Sequence, residues 1–288
     1  MAIAPTLAYL VCATQRSGST LLCRLLAETG VAGHPQEYFE AQADTGRPPH
    51  PGAFLSGLPS TGLGIRDDVR PPRAPDYSSL QGLPDYRAHL RRTLAAGTGP
   101  NGVFGAKIMF NQLAEVQTLA GTLAEYRGLS GPPLLAALIG APQPLRWVWA
   151  RRNDTVRQAV SMWKALQTRS WRGDEDGENR EPEYRFEAID HLRRRFEADE
   201  AGWSDVFAAH GIHPLVVSYE DDLEADRDRA VARVLEHIGV PSPLRGLNSD
   251  PIDRQADALS QQWVDAYHRD RAARRGQLAA APQSAPRR

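Results

Sequence analysis

The stretch Leu7–Leu26, LAYLVCATQRSGSTLLCRLL, constrains the fold more than any other part of the chain. An apolar strand runs through Ala13, a short polar turn Thr14-Gln15-Arg16-Ser17-Gly18 follows, and a helical pattern opens near Ser19. A strand that enters a helix through so tight a turn aims backbone N–H groups and the positive end of a helix dipole at one spot, where a phosphate or sulfate can sit. Gly18 permits close approach of the backbone, Ser17, Ser19 and Thr20 offer hydroxyl donors, and Arg16 adds a permanent charge. A plain strand-to-helix turn with a Ser/Thr cap has the same outline, but an arginine and three hydroxyls packed this closely favour the anion. The turn is not a Walker A loop, because it lacks both the first glycine and the lysine of GxxxxGK followed by Ser or Thr.

With 288 residues the chain can bury a sizeable core in one large or two small domains. Its 34 basic and 35 acidic side chains leave a net charge of −1, which offers no basic excess for nucleic acid. No apolar run has the length of a membrane span. Residues 1–13 lack the basic start of a signal peptide and lead straight into the anion loop, so the chain reads as a cytoplasmic enzyme. Cys12 and Cys23 form neither a CxxC pair nor a metal-ligand spacing and read as buried free thiols.

Beyond the first helix, His34-Pro35-Gln36-Glu37 is extended because Pro35 restricts its predecessor, and it emerges near the end of the anion loop. Glu37 can hold a carboxylate beside a substrate hydroxyl there, or be an ordinary surface glutamate. Residues 41–79 are rich in Pro, Gly, Ser and Asp, the composition of a lid, a binding loop or a disordered insertion. A helix is expected over Leu83–Ala96, and Val103–Phe110 is an apolar strand interrupted by Lys107. That lysine either reaches the crevice at the strand's carboxyl end or serves a structural ion pair. Asn111 is expected to cap a helix through Tyr126.

The strand Leu145–Ala150 leads into Arg151-Arg152-Asn153-Asp154 and a helix to about Thr168. Arg152 at the strand end and Ser161 on the helix can grip a second phosphate, or Arg152 can pair with Asp154 while Ser161 packs on the sheet. Trp163, Gln167, Arg169, Trp171 and Arg172 supply indoles beside polar donors, which suits a sugar and equally suits a packed helix end. A long helix is expected over Tyr184–His210, a strand over His213–Tyr219, and a helix from Glu220 through Ile238 with Glu220, Asp221 and Asp222 near its positive end. A last helix, Leu259–Arg269, precedes a tail from Gln277 whose composition suits disorder. Alternating strands and helices with an anion loop after the first strand imply a doubly wound, mainly parallel α/β sheet, organised as one domain over residues 1–276.

Two anion grips at different strand ends imply a ligand phosphorylated or sulfated at two places. Five stretches in order, CATQRSGSTLL, VAGHPQEYF, PNGVFGAKIMFNQ, QAVSMWKALQTRSWRG and RQADALSQQWVDAY, make the chain resemble the trehalose 2-sulfotransferase family of actinobacterial sulfotransferases. The resemblance implies 3′-phosphoadenosine 5′-phosphosulfate as sulfuryl donor and no metal. It implies that Gln15, Arg16, Ser17, Gly18, Ser19 and Thr20 cradle the 5′-phosphosulfate, that Arg152 and Ser161 bind the 3′-phosphate, and that Arg254 reaches the nucleotide. It makes Glu37 the general base, with Arg16 stabilising charge in the transition state.

His34, Gln36, Lys107, Trp163, Arg169 and Trp171 are the candidates for the acceptor side. The resemblance leads one to expect a carboxylate at position 34, where this chain has a histidine whose imidazole can share or replace the base role. Residues 41–79 resemble the family poorly. The expected acceptor is a sugar hydroxyl, with trehalose at its 2-position foremost and another glycoside or hydroxylated natural product behind it. The resemblance also implies a homodimer, which no segment forces. A nucleotide-binding module without transfer is the alternative from another class, and a small-molecule kinase is disfavoured by the missing Walker lysine and magnesium pattern.

Overall fold

A computed structural model describes residues 5–39, 54–58, 86–140, 142–168, 170, 181–242 and 258–280. Four strands, β1 (Leu7–Ala13), β2 (Val103–Met109), β3 (Arg146–Arg151) and β4 (Leu215–Ser218), form one sheet in the order β2-β1-β3-β4. All three pairings are parallel. β1 sits inside the sheet, with Ala13 opposite Met109 on one side and Ala150 on the other. The carboxyl ends of β1, β2 and β3 therefore finish at one edge, where α/β sheets bind their ligands.

The apolar runs that announced the strands follow from helices on both faces, since a sheet covered twice needs no polar side. One face of β1 (Ala8, Leu10, Cys12) packs with α2 (Tyr86–Gly97), α3 (Leu113–Ala120), α4 (Gly131–Ile139) and the later part of α6 (Phe186–Ala209). The other face (Tyr9, Val11, Ala13) packs with α1 (Ser19–Glu28) and α7 (Arg227–Ile238). A third cluster joins α5 (Thr155–Thr168), the earlier part of α6 and α8 (Ala258–Ala280), with Leu55 among its buried members. The mainly parallel α/β sheet expected from the sequence is thus present.

Three local expectations are corrected. The helix expected from Glu220 does not start there. Tyr219–Leu223 forms a single wide turn, and α7 begins at Arg227, where the Asp226 carboxylate accepts from Arg229 N at 3.0 Å. A short aspartate side chain caps a helix well, so the stop at Asp226 separates Glu220, Asp221 and Asp222 from the helix and leaves them at the end of β4. The helix expected through Tyr126 is broken into a short 3-10 turn (Phe110–Gln112), α3 and a second short turn (Ala124–Tyr126), and Asn111 lies inside the first turn rather than capping a helix. Finally, the last helix, expected over Leu259–Arg269, is α8 and runs on to Ala280; residues 281–288 lie outside the described residues.

Candidate active site

The turn between β1 and α1 is built around Gly18 and Arg16. Gly18 is the N-cap of α1 at φ 84, and its carbonyl accepts from Leu22 N at 3.1 Å, the first bond of the helix. A Cβ on Gly18 would stand 2.4 Å from the Tyr219 ring, so both its left-handed backbone and its neighbour demand glycine. Arg16, at φ 62, is the one non-glycine residue with positive φ among those described. Such a conformation costs a residue with a Cβ and persists where surrounding contacts fix it. Ser17 is fully buried, and its Oγ has no hydrogen-bond partner among the described residues. Ser19 opens α1 and is buried; Thr20 follows and is exposed.

Two arginines and a serine meet beside this turn. Arg16 Nε donates to Ser161 Oγ at 2.9 Å, and Arg152 Nη1 donates to the Arg16 carbonyl at 3.3 Å. Burial, and then the nearby Arg152 guanidinium, lower the Arg16 pKa from its ordinary value to about 10. A paired positive charge held out of water gains from an anion placed beside it. Arg152 stacks over the Tyr219 ring at 4.8 Å and pairs with Glu220 at 3.3 Å. Asp154, the partner that the sequence offered, instead accepts from Arg157 N at 2.8 Å and caps α5. The Glu220 carboxylate also accepts from Asn153 N at 2.9 Å.

Across the crevice, the strip 34–37 is tied to the sheet by backbone bonds. His34 N donates to Gly97 O at 3.1 Å and Lys107 N donates to Gln36 O at 2.8 Å. Gly33 makes this approach feasible: at φ 67, a Cβ there would sit 2.4 Å from the Val103 carbonyl. The consequence is a fixed Glu37 carboxylate. Its Oε2 pairs with Lys107 Nζ at 2.8 Å, and its Oε1 accepts from Gln112 Nε2 at 2.6 Å. Lys107 Nζ also donates to Thr20 Oγ1 at 3.1 Å, so one ammonium spans the carboxylate and the first turn of α1. The lysine is 7% exposed and the glutamate 28%, which leaves the carboxylate accessible while its partner is sealed in.

The structure therefore brings together Gln15, Arg16, Ser17, Gly18, Thr20, Arg152 and Ser161 on one side and Glu37 and Lys107 on the other. Gln15 Nε2 donates to Asn111 Oδ1 at 2.6 Å, closing the cradle against the end of β2. His34 and Gln36 are exposed on the strip. Trp163 is not at the crevice: it is 2% exposed within the α5–α6–α8 cluster and donates to Glu183 O at 2.7 Å. Its apolar ring is used for packing, and that correction removes it from the acceptor side. Arg169, Trp171 and Arg254 lie outside the described residues, as does the segment 41–79 apart from 54–58.

Sequence reasoning missed Asn111, Gln112 and Glu220. Asn111 and Gln112 directly follow a strand whose carboxyl end was expected at the crevice, which was the available signal; Glu220 was hidden in an acidic triplet read as a helix start. No group of three or more His, Cys, Asp or Glu side chains among the described residues could hold a metal ion, and no helix there is long and apolar enough to cross a membrane.

A parallel α/β sheet with a hydroxyl- and arginine-lined cradle at its carboxyl edge, facing a fixed carboxylate, describes a group-transfer enzyme for an anionic group. The chain belongs to the Stf0 sulphotransferase family, whose model matches residues 8–270. It is 38% identical over 265 residues to a trehalose 2-sulfotransferase of Mycobacterium tuberculosis (strain ATCC 35801 / TMC 107 / Erdman), covering 90% of this chain and 93% of that protein. It is 36% identical over 272 residues to a trehalose 2-sulfotransferase of Mycolicibacterium smegmatis (strain ATCC 700084 / mc(2)155), covering 91% and 95%. The protein is accordingly a sulfotransferase, an enzyme that moves a sulfuryl group from a donor to an acceptor.

Proposed function

We propose that this enzyme transfers the sulfuryl group of 3′-phosphoadenosine 5′-phosphosulfate to the 2-hydroxyl of trehalose, with Glu37 as general base. The observation that carries the reading is the Glu37 carboxylate, fixed by Lys107 and Gln112 and linked through Lys107 to the first turn of the anion-loop helix. The names of two relatives covered almost end to end supply the acceptor.

The residues present fit the donor. The buried Ser17 hydroxyl lacks a partner among the described residues, and a buried polar atom of this kind calls for one. A sulfate or phosphate oxygen is such a partner, and the Arg16–Arg152 pair beside it supplies the matching charge. Gln15 to Thr20 would hold the phosphosulfate end, and Arg152 with Ser161 the 3′-phosphate. When bound, the donor supplies an activated sulfur joined to a phosphate leaving group.

A sugar hydroxyl is a poor nucleophile until its proton can leave. Each Glu37 oxygen accepts one bond from the protein, and a carboxylate oxygen has a further lone pair for the acceptor's O–H. Glu37 takes that proton as the hydroxyl oxygen bonds to sulfur and the sulfur–oxygen bond to the phosphate breaks. Arg16, the loop N–H groups and the amino end of α1 stabilise the negative charge that gathers on the phosphate side. Lys107 keeps the carboxylate aligned while the proton moves, and positioning with electrostatics accounts for most of such catalysis.

Mass-spectrometric detection of sulfate transfer from 3′-phosphoadenosine 5′-phosphosulfate to trehalose, beside a panel of other sugars and glycosides, tests this. Transfer to the trehalose 2-hydroxyl in preference to the panel is expected. Preference for another acceptor would overturn the trehalose assignment, and nucleotide binding without transfer to any acceptor would overturn the enzymatic reading of Glu37.

A further inference from the structure

Three contacts hold the carbonyls of the anion loop. Trp203 Nε1, on α6, donates to the Ala13 carbonyl at 2.9 Å; Gln158 Nε2, on α5, donates to the Gln15 carbonyl at 2.6 Å; Arg152 donates to the Arg16 carbonyl at 3.3 Å. The second N–H of the same Gln158 amide donates to Thr14 Oγ1 at 2.8 Å, and the Thr14 hydroxyl donates onward to Glu200 Oε1 at 3.2 Å. Glu200 is anchored by Arg151 Nε at 2.7 Å, and Arg151 lies over the Trp149 ring at 4.3 Å. Thr14 and Gln158 are both fully buried. The bonds of Thr14 to Gln158 and Glu200, and of Trp203 to Ala13, are buried in the core.

The direction of the bonds matters more than their number. In a trans peptide the C=O and the following N–H point opposite ways, and the described chain contains no cis bond. Drawing the Gln15 carbonyl toward α5 therefore turns the Arg16 N–H away from that helix, and the Arg152 bond to the Arg16 carbonyl likewise sets the direction of the Ser17 N–H. These two bonds flank Arg16 at φ 62, a conformation that persists where surrounding contacts hold it.

We propose that Thr14 and Gln158 are positioning residues for the donor: together they set the N–H directions of the anion loop, with Glu200 and Arg151 as their anchor. This rests on the donor reading above. Thr14→Val keeps the shape and removes the hydroxyl; Gln158→Leu removes the amide; Thr14→Ser restores the hydroxyl. The probe is 3′-phosphoadenosine 5′-phosphate, titrated calorimetrically into each purified full chain, with thermal melting of the same samples and steady-state KM for donor and acceptor.

Thr14→Val and Gln158→Leu are each expected to weaken the nucleotide by about tenfold or more, the scale for losing a buried hydrogen bond. Donor KM should rise while acceptor KM holds, and Thr14→Ser should stay within about twofold of wild type. Because both variants cut one network, the double variant should bind about as weakly as the worse single one. Folded variants that bind the nucleotide like wild type would overturn the inference alone. So would equal rises in donor and acceptor KM, or additive losses in the double variant, since either marks general loosening. Wild-type protein that fails to bind the nucleotide would overturn the donor reading and this inference with it.

Discussion

The two sides of the crevice are built differently. The anion loop is held from below by side chains of α5 and α6, through bonds such as Thr14 to Glu200 that join residues 186 positions apart. The strip carrying Glu37 is held at its edge, by two backbone bonds to β2 and the end of α2, and by the Lys107–Gln112 pair on its one carboxylate. The proposed donor side is thus embedded in the core, whereas the proposed acceptor side is laid along its margin. An enzyme that takes one donor but faces a choice of acceptors gains from that division, because the exposed His34 and Gln36 can change while Lys107 keeps its bonds to Glu37 and Thr20.

The comparison can be broken by variants that act on one side only. The largest effect is expected for Arg16→Ala, which removes a positive charge from the transition state. Turnover should fall by about 100- to 1000-fold, measured as initial rate of sulfate transfer, together with weaker nucleotide binding. Arg152→Ala comes next: it loses the cation over Tyr219 and the bond to the Arg16 carbonyl, and nucleotide affinity should fall by about tenfold or more. Ser161→Ala should weaken the nucleotide less, since Arg16 keeps its charge. On the other side, Lys107→Met should lower turnover by roughly tenfold through loss of alignment at Glu37, and, because Lys107 also bonds Thr20, weaken the nucleotide less than Arg152→Ala does. A large loss of nucleotide binding in that variant would show that the two sides are not separable.

The smallest effect concerns stability. Burial raises the Glu200 pKa, against the pull of Arg151. A carboxylate whose folded value is raised binds its proton more tightly in the folded state, so its contribution is most favourable at acid pH. That contribution is lost as pH rises from the ordinary value of 4.5 through the raised one. Melting temperature measured against pH should therefore drop, over that window, more in wild type than in Glu200→Gln. Parallel curves would remove Glu200 from the titrating groups.

The same contrast explains what the sequence disclosed. The anion loop lies in one contiguous run, so its strand, turn and helix start could be read directly, and β1 and α1 begin where the apolar pattern and Ser19 place them. The sequence allows Lys107 either a crevice role or an ion pair; the ion pair is present, and its partner is Glu37. What supports the loop was not legible, because Gln158, Glu200 and Trp203 look like ordinary positions on amphipathic helices until the fold brings them under Thr14. α4 was also passed over: its Pro132-Pro133 start resembles a break, although proline suits the first turn of a helix. The acidic triplet at 220–222 misled for the opposite reason, since carboxylates suit a helix start and a strand end with unpaired donors equally well.

The most direct test of the account is Glu37→Gln, an isosteric change that removes the base and retains the side chain's size. It should bind 3′-phosphoadenosine 5′-phosphate like wild type in a calorimetric titration, while sulfate transfer to trehalose falls by about 100- to 10,000-fold. Wild-type turnover in that variant, or loss of nucleotide binding along with turnover, would contradict a separate donor cradle served by a carboxylate base.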